Sequence, residues 1–324
     1  MNTKDEFMRK TAVVLFGAFI CCLLWGSAFP CVKIGYQMIQ ITSGDFATQI
    51  LYAGYRFTIA GLLVILFGSL GKKKLLIPQK RSWGKILNLG MFQTVGQYIF
   101  FYIGLAHTSG VKSSIIIGTN AFVAILIASL IFHQEKLTVR KVVGCVIGFA
   151  GVALITLNGN GIDMNMSFTG EGFMFLSTVA YAFSSVYFKR YAKEEDSFVL
   201  SGYQFLLGGI ILSAVGYLAG GRIDTFDMES AAMLLYLSFV AAAAYTLWGV
   251  LLKYNPISRV AVYGCMNPVI GVILSILLLH EKDQASGLRS ALALILVSIG
   301  IYVVNGINEK WRIEDERIGN IEKG

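Results

Sequence analysis

Apolar runs of about 20 residues recur ten times along this chain, separated by polar stretches that are mostly short. A helix of that length crosses the roughly 30 Å hydrocarbon core of a bilayer, and inside lipid only helices and closed barrels satisfy their own backbone. The runs place helices at 12–32, 48–70, 84–105, 112–133 and 139–157, then at 171–190, 198–219, 230–252, 257–279 and 287–305. The predicted fold class is therefore an all-α integral membrane protein with ten transmembrane helices. Composition agrees: 56% of residues are hydrophobic and 14% charged, against about 25% charged in a soluble chain. The first run follows Lys4, Arg9 and Lys10. It is too long for a signal peptide and lacks a small-x-small cleavage pattern, so it is expected to stay as a span.

Charge gives the orientation. Of the 27 Lys and Arg, 21 fall in the N-terminus, the even-numbered loops and the C-terminus; five fall in the odd-numbered loops, and Arg56 lies within a span. The positive-inside rule then predicts both termini in the cytoplasm, in a multi-pass plasma (inner) membrane protein. The net charge of +8 would otherwise suggest nucleic acid, but its densest segment, "GKKKLLIPQKRSWGK" at 71–85, is part of this topology signal. No nucleic-acid partner is expected; membrane lipids are, with headgroup binding at 71–85 as a further role for that loop. The cysteines (Cys21, Cys22, Cys31, Cys145, Cys265) sit in apolar runs without metal spacing, and the three histidines are scattered. No metal or cofactor is expected. Nor does any converging set of acids, bases and nucleophiles suggest an enzyme.

The chain also repeats itself. "TSGVKSSIIIGTNAFVAILIASLIFHQEKL" (108–137) aligns with "NPISRVAVYGCMNPVIGVILSILLLHEK" (255–282), pairing Lys112 with Arg259, Asn120 with Asn267 and His133 with His280, with Glu135 and Glu281 following after a one-residue deletion. "YRFTIAG" (55–61) matches "YQFLLGG" (203–209), Tyr98 matches Tyr245, and "WGSAFPCVK" (25–33) matches "YAFSSVYFK" (181–189). Matches in register and in order mark an internal repeat. Five helices per half is an odd number, so the halves should be inverted, as in many secondary transporters whose substrate sites lie where the repeats meet. The halves are expected at 10–157 and 170–306, with 307–324 as a cytoplasmic tail.

Polar and aromatic residues at mid-span become the candidate substrate site. Arg56 lies about 12 Å along its helix, eight residues at 1.5 Å each. A guanidinium there either snorkels outward or faces a cavity, where it could meet a substrate carboxylate bidentately. Trp25 and Tyr181, Tyr98 and Tyr245, and Trp248 one turn on are candidate cavity walls, with interfacial packing the alternative. Gln97, Asn120, Gln204 and Asn267 supply donors and acceptors, or helix–helix hydrogen bonds. Pro268 breaks the backbone ladder mid-span and allows a hinge in the second half; the equivalent Asn120-Ala121 has no proline, so the sequence does not support a symmetrical pair of kinked helices. Glu135 and Glu281 are candidate gate residues. No Asp or Glu lies mid-span, so the usual proton-coupling carboxylate is missing, leaving His107 and Lys33 as weak substitutes. "GCVIGFAG" (144–151) reads as a close-packing helix face.

"LLWGSAFPCVK", "YRF", "GLAHTSGVKSSII" and "HQEKLTVRKVVGCVIGFAGVAL" with its echo "LLLHEK…SIGIYVV" resemble the EamA family of the drug/metabolite transporter superfamily, over residues 10–306. That resemblance implies a ten-helix transporter of small molecules, often an exporter of amino acids or other metabolites. The expected function is a secondary transporter working by alternating access, with a small-molecule substrate as partner and a homodimer compatible with the sequence. The alternatives are uptake, a multidrug carrier of amphipathic cations, or a passive channel.

Overall fold

A computed structural model describes residues 3–133, 137–156, 167–255, 260, 263–264, 266–279 and 287–305. After a short α1 (Thr3–Arg9) come two long helices, α2 (Thr11–Met38) and α3 (Phe46–Lys72). The third apolar run is helical in pieces: α4 (Trp83–Gly90), a π-helical segment Met91–Gly96, and α5 (Gln97–His107). The fourth comprises α6 (Gly110–Ile117), α7 (Asn120–Leu126) and a second π segment, Ile127–Ile131. Then follow α8 (Val139–Thr156), a third π segment Phe168–Gly172 leading into α9 (Phe173–Tyr191), α10 (Ser197–Leu218) and α11 (Met228–Tyr254). The last two are α12 (Met266–Leu279) and α13 (Gly287–Asn305). Five helices, Thr11–Met38, Phe46–Lys72, Gly110–Ile131, Ser197–Leu218 and Met228–Tyr254, are long and apolar enough to cross a membrane by length and composition. Shorter apolar helices are Met266–Leu279 and Ala291–Gly300.

Local chemistry sets the ends. Asp45, Asp196 and Asp227 accept hydrogen bonds from the first free N–H groups of α3, α10 and α11 respectively, and Asp227 and Ser230 form a reciprocal capping box. Lys73 closes α3 in a left-handed conformation at φ 51°. The outward faces stay apolar: Phe16, Leu62, Phe67, Leu218 and Ile295 are all exposed, as lipid contact requires.

Two glycine-lined crossings hold the helices together. On α3, Gly54 and Gly61 lie seven residues apart, as do Gly202, Gly209 and Gly216 on α10. A Cβ on Gly54 would sit 2.3 Å from the Ser213 nitrogen, on Gly61 2.4 Å from the Leu206 nitrogen, on Gly209 2.3 Å from the Thr58 nitrogen and on Gly216 2.5 Å from the Leu51 nitrogen. Backbone therefore meets backbone along the whole α3–α10 seam, the closest approach that helices can make. The second crossing pairs α8 with α13, where a Cβ on Gly151 would fall 2.7 Å from the Ala293 carbonyl oxygen and one on Gly300 2.6 Å from that of Gly144. This is the packing role read from "GCVIGFAG". Around these seams, α2 packs on α11 and α12, while α9 packs on α5 and α7.

The helix of the first half breaks although it has no proline, the feature that the sequence did not support. α6 ends at Ile117 and α7 starts at Asn120, with Gly118-Thr119 as a turn between them. Gly118 N–H reaches back to the Ser114 and Ile115 carbonyls, and Thr119 Oγ1 donates to the Ile116 carbonyl. A glycine and a hydroxyl that bonds its own backbone loosen the ladder as proline would.

Candidate functional site

The breaks, the aromatic faces and the buried charge converge on one cavity of about 100 Å³. α2 contributes Trp25 and Phe29, α3 contributes Arg56, and α5 contributes Gln97, Tyr98 and Phe101. The α6–α7 break brings Gly118 and Asn120, α9 brings Tyr181 and Ser185, and α11 brings Tyr245 and Trp248. Gly264, Asn267 and Pro268 complete the wall at the start of α12. The lining falls into repeat-matched pairs: Trp25 with Tyr181, Phe29 with Ser185, Tyr98 with Tyr245, Phe101 with Trp248, and Asn120 with Asn267.

Arg56 is 2% exposed, so it does not snorkel to the surface. Its Nε donates to the Leu237 carbonyl at 2.9 Å and its Nη1 to the Tyr102 hydroxyl at 2.8 Å. The guanidinium carbon lies 5.1 Å from the Phe57 ring centre and 6.0 Å from those of Tyr98 and Tyr102, close enough for cation–π attraction. No carboxylate pairs with it among the described residues, and Nη2 makes no hydrogen bond there. The charge is thus held in place by neutral groups and left uncompensated.

Aromatic contacts join the two sides. Trp25 packs edge-on against Tyr245 and against Trp248, each pair of centroids 5.1 Å apart. The Tyr98 and Tyr245 hydroxyls share a hydrogen bond of 2.5 Å, and Gln97 Nε2 donates to the Tyr245 hydroxyl at 3.0 Å. Trp25 Nε1, Gln97 Oε1, Asn120 Oδ1 and Asn267 Oδ1 are buried with no hydrogen-bond partner.

Of the residues singled out from the sequence, Trp25, Arg56, Gln97, Tyr98, Asn120, Tyr181, Tyr245, Trp248, Asn267 and Pro268 line this cavity. Gln204 does not. It is 1% exposed and its Oε1 accepts from Thr94 Oγ1 at 2.5 Å, which turns the amide toward the π segment at Met91–Gly96, while its Nε2 is buried without a partner. Glu135 and Glu281 lie outside the described residues. Tyr102 and Phe57, which fix the guanidinium, were not singled out. Tyr102 stands one turn after Tyr98 on the same face, and that spacing could have found it.

Ion pairs stand away from the cavity. Lys112 Nζ lies 3.0 Å from Glu171 Oε1, which also accepts from Thr108 Oγ1 at 3.0 Å, joining the start of α6 to the π segment before α9. Glu171 is 5% exposed, a buried carboxylate at the end of a span rather than mid-span. A second cluster ties Lys85 to Glu194 at 2.7 Å and to Glu195 at 3.0 Å, with Ser82 Oγ donating to Glu195 at 2.8 Å, while Lys72 pairs with Asp196. Desolvation works against ionisation of Glu195 and Asp196, but hydrogen bonds from Ser82 and Lys85 to the first, and from Lys72 to the second, hold both below the ordinary carboxylate range.

Comparison with known proteins identifies the chain. A crystal structure of another protein superposes with a TM-score of 0.66, covering 90% of this chain and 98% of that one at 19% identity, so the two share a fold. The chain is 28% identical to an uncharacterized transporter of Archaeoglobus fulgidus, over 87% of this chain and 93% of that protein. It is also 28% identical to the uncharacterized transporter YvbV of Bacillus subtilis, over 94% and 98%. A probable amino-acid metabolite efflux pump of Salmonella typhimurium is 25% identical over 94% and 95%. The profile of the EamA-like transporter family matches twice, at residues 12–157 and 168–306. This multi-pass membrane transporter belongs to the EamA-like transporter family.

Proposed function

We propose that this protein is a secondary transporter that exports amino acids or other small metabolites across the plasma membrane by alternating access, its carboxylate-bearing substrate held by Arg56. The observation that carries the reading is the uncompensated Arg56 guanidinium in a cavity whose walls come from repeat-matched residues. Removing a charge from water costs several kcal/mol, and neutral donors and rings return only part of that, so a carboxylate on the free Nη2 is the natural counter-charge. The same fixed charge disfavours a carrier of amphipathic cations, because like charges repel strongly in a dry cavity.

The architecture behind this reading is ten membrane helices in two inverted halves, 10–157 and 170–306, with both termini and the 307–324 tail in the cytoplasm. The helix pairings support it. Exchanging the halves turns α2 against α11 and α12 into α9 against α5 and α7, and returns the α3–α10 and α8–α13 seams to themselves. The probable efflux pumps among the relatives support export of amino-acid metabolites.

Purified protein in liposomes preloaded with an unlabelled amino acid should accumulate the labelled one by counterflow. Arg56→Gln should fold and lose this exchange, and Arg56→Lys should recover it only in part, since a point charge lacks the planar fork. Normal exchange by Arg56→Gln would refute the assignment, and flux without saturation or counterflow would indicate a channel.

A further inference from the structure

The cavity presents unmet acceptors as well as two free donors, Arg56 Nη2 and Trp25 Nε1. Gln97 Oε1, Asn120 Oδ1 and Asn267 Oδ1 are three amide oxygens, buried and without a donor, in the wall of one cavity. Gln97 Nε2 donates to the Tyr245 hydroxyl, which leaves Oε1 as the unpaired end of that amide. Asn120 and Asn267 are repeat equivalents, each in the first turn after an interruption in its half, Asn120 opening α7 and Asn267 second in α12. A buried acceptor left unpaired is a penalty that the ligand can relieve. A carboxylate or phosphate cannot relieve it, having nothing to donate. An ammonium has three N–H donors and no acceptor.

We infer that Asn120, Asn267 and Gln97 bind the ammonium group of the substrate, so that this site selects zwitterions over both simple carboxylates and simple amines. The inference rests on the carboxylate role of Arg56 given above and adds the other end of the ligand. Neutral oxygens hold an ammonium without supplying a counter-charge. No carboxylate lines the cavity among the described residues, so a bare amine would meet the Arg56 charge with nothing to offset it. A zwitterion satisfies Arg56 with one end and the three amides with the other. The rings of Trp25, Trp248 and Tyr245 are left as the apolar wall for its side chain.

The test is inhibition of labelled L-leucine counterflow by unlabelled L-leucine, by 4-methylpentanoate, which lacks the amine, and by 3-methylbutylamine, which lacks the carboxylate. In the wild-type protein both analogues should inhibit about 100-fold more weakly than leucine, as expected where a hydrogen-bonding site is left unpaired. The Asn120→Leu/Asn267→Leu double variant should lose leucine affinity while keeping that for 4-methylpentanoate, so that the preference for leucine collapses. The wild-type comparison needs no variant and stands even if the double variant does not fold. If 4-methylpentanoate inhibits wild type as well as leucine does, and Arg56→Gln abolishes both, the ammonium site is refuted while the carboxylate site survives. If neither leucine nor its acid interacts with the wild-type protein, both assignments fall.

Discussion

Tyr98 and Tyr245 occupy equivalent positions in the two repeats, and their hydroxyl oxygens meet at 2.5 Å inside the cavity wall. The two bonds at this point are not alike. Tyr245 also accepts from Gln97, whereas Tyr98 has no second hydroxyl partner among the described residues. Tyr245→Phe should therefore break two hydrogen bonds and Tyr98→Phe one. At about 1 kcal/mol each, the midpoint of thermal unfolding in detergent should drop further for Tyr245→Phe. Equal drops would show that the Gln97 bond contributes nothing.

The Lys112–Glu171 pair joins a buried carboxylate to a lysine that solvent still reaches. Glu171→Ala would leave Lys112, about one-third exposed, without its partner. Solvent reaches the lysine, so the cost should be about 1–2 kcal/mol rather than the 3–5 of a fully buried pair. Lys112→Met in the same background should restore most of it. A double-mutant cycle on thermal stability measures the coupling, and a coupling near zero would show the contact to be incidental.

The seam between α3 and α10 predicts a steep contrast among alanine substitutions. At Gly61 or Gly209 the new Cβ would meet main-chain nitrogen at 2.4 and 2.3 Å, and main chain cannot swing aside. Each change should cost about 1–3 kcal/mol or more and reduce the yield of monodisperse protein. Gly71→Ala and Gly84→Ala meet nothing within 4 Å and should be silent.

Acid should weaken the contacts around Lys72 and Lys85. Glu194 is held below the ordinary range by hydrogen bonding and charge from Lys85. Glu195 and Asp196 are lowered as well, by their hydrogen bonds and against their desolvation. A carboxyl depressed in the folded state contributes its stability above its unfolded pKa, near 4, and loses it as pH falls through the folded value. Thermal stability should thus be flat at neutral pH and decline below about pH 4. Asp196→Asn should weaken the Lys72 pair at neutral pH and flatten the decline. An unchanged acid profile in this variant would show that other groups set it.

Much of this was legible in the residues. The ten apolar runs correspond to helical stretches in the described residues, and the repeat alignment placed Trp25 with Tyr181 and Asn120 with Asn267 before any cavity was visible. What escaped was whatever depends on the neighbouring helix. "YRFTIAG" and "YQFLLGG" were read as marks of repetition, whereas their Gly61 and Gly209 are points of backbone contact. Gln204 matches Arg56 in sequence but lies outside the cavity lining, its Oε1 accepting from Thr94, a neighbour that the sequence alone does not place. The break at Gly118-Thr119 carries no proline signal, and the burial of Glu171 depends on Lys112 and Thr108 arriving from elsewhere in the chain.

The glycine seam bears on how a ligand could be passed across the membrane. Two helices touching through their main chains over several turns cannot slide or splay without losing that contact, so they move together as a single strut. Arg56 is mounted on that strut. Under the alternating access proposed above, its charge stays at one depth while the broken α6–α7 segment and α12 tilt about it. In that proposal the anchored end of the cargo remains still, and the rest of the wall swings past it like a door on its hinge post.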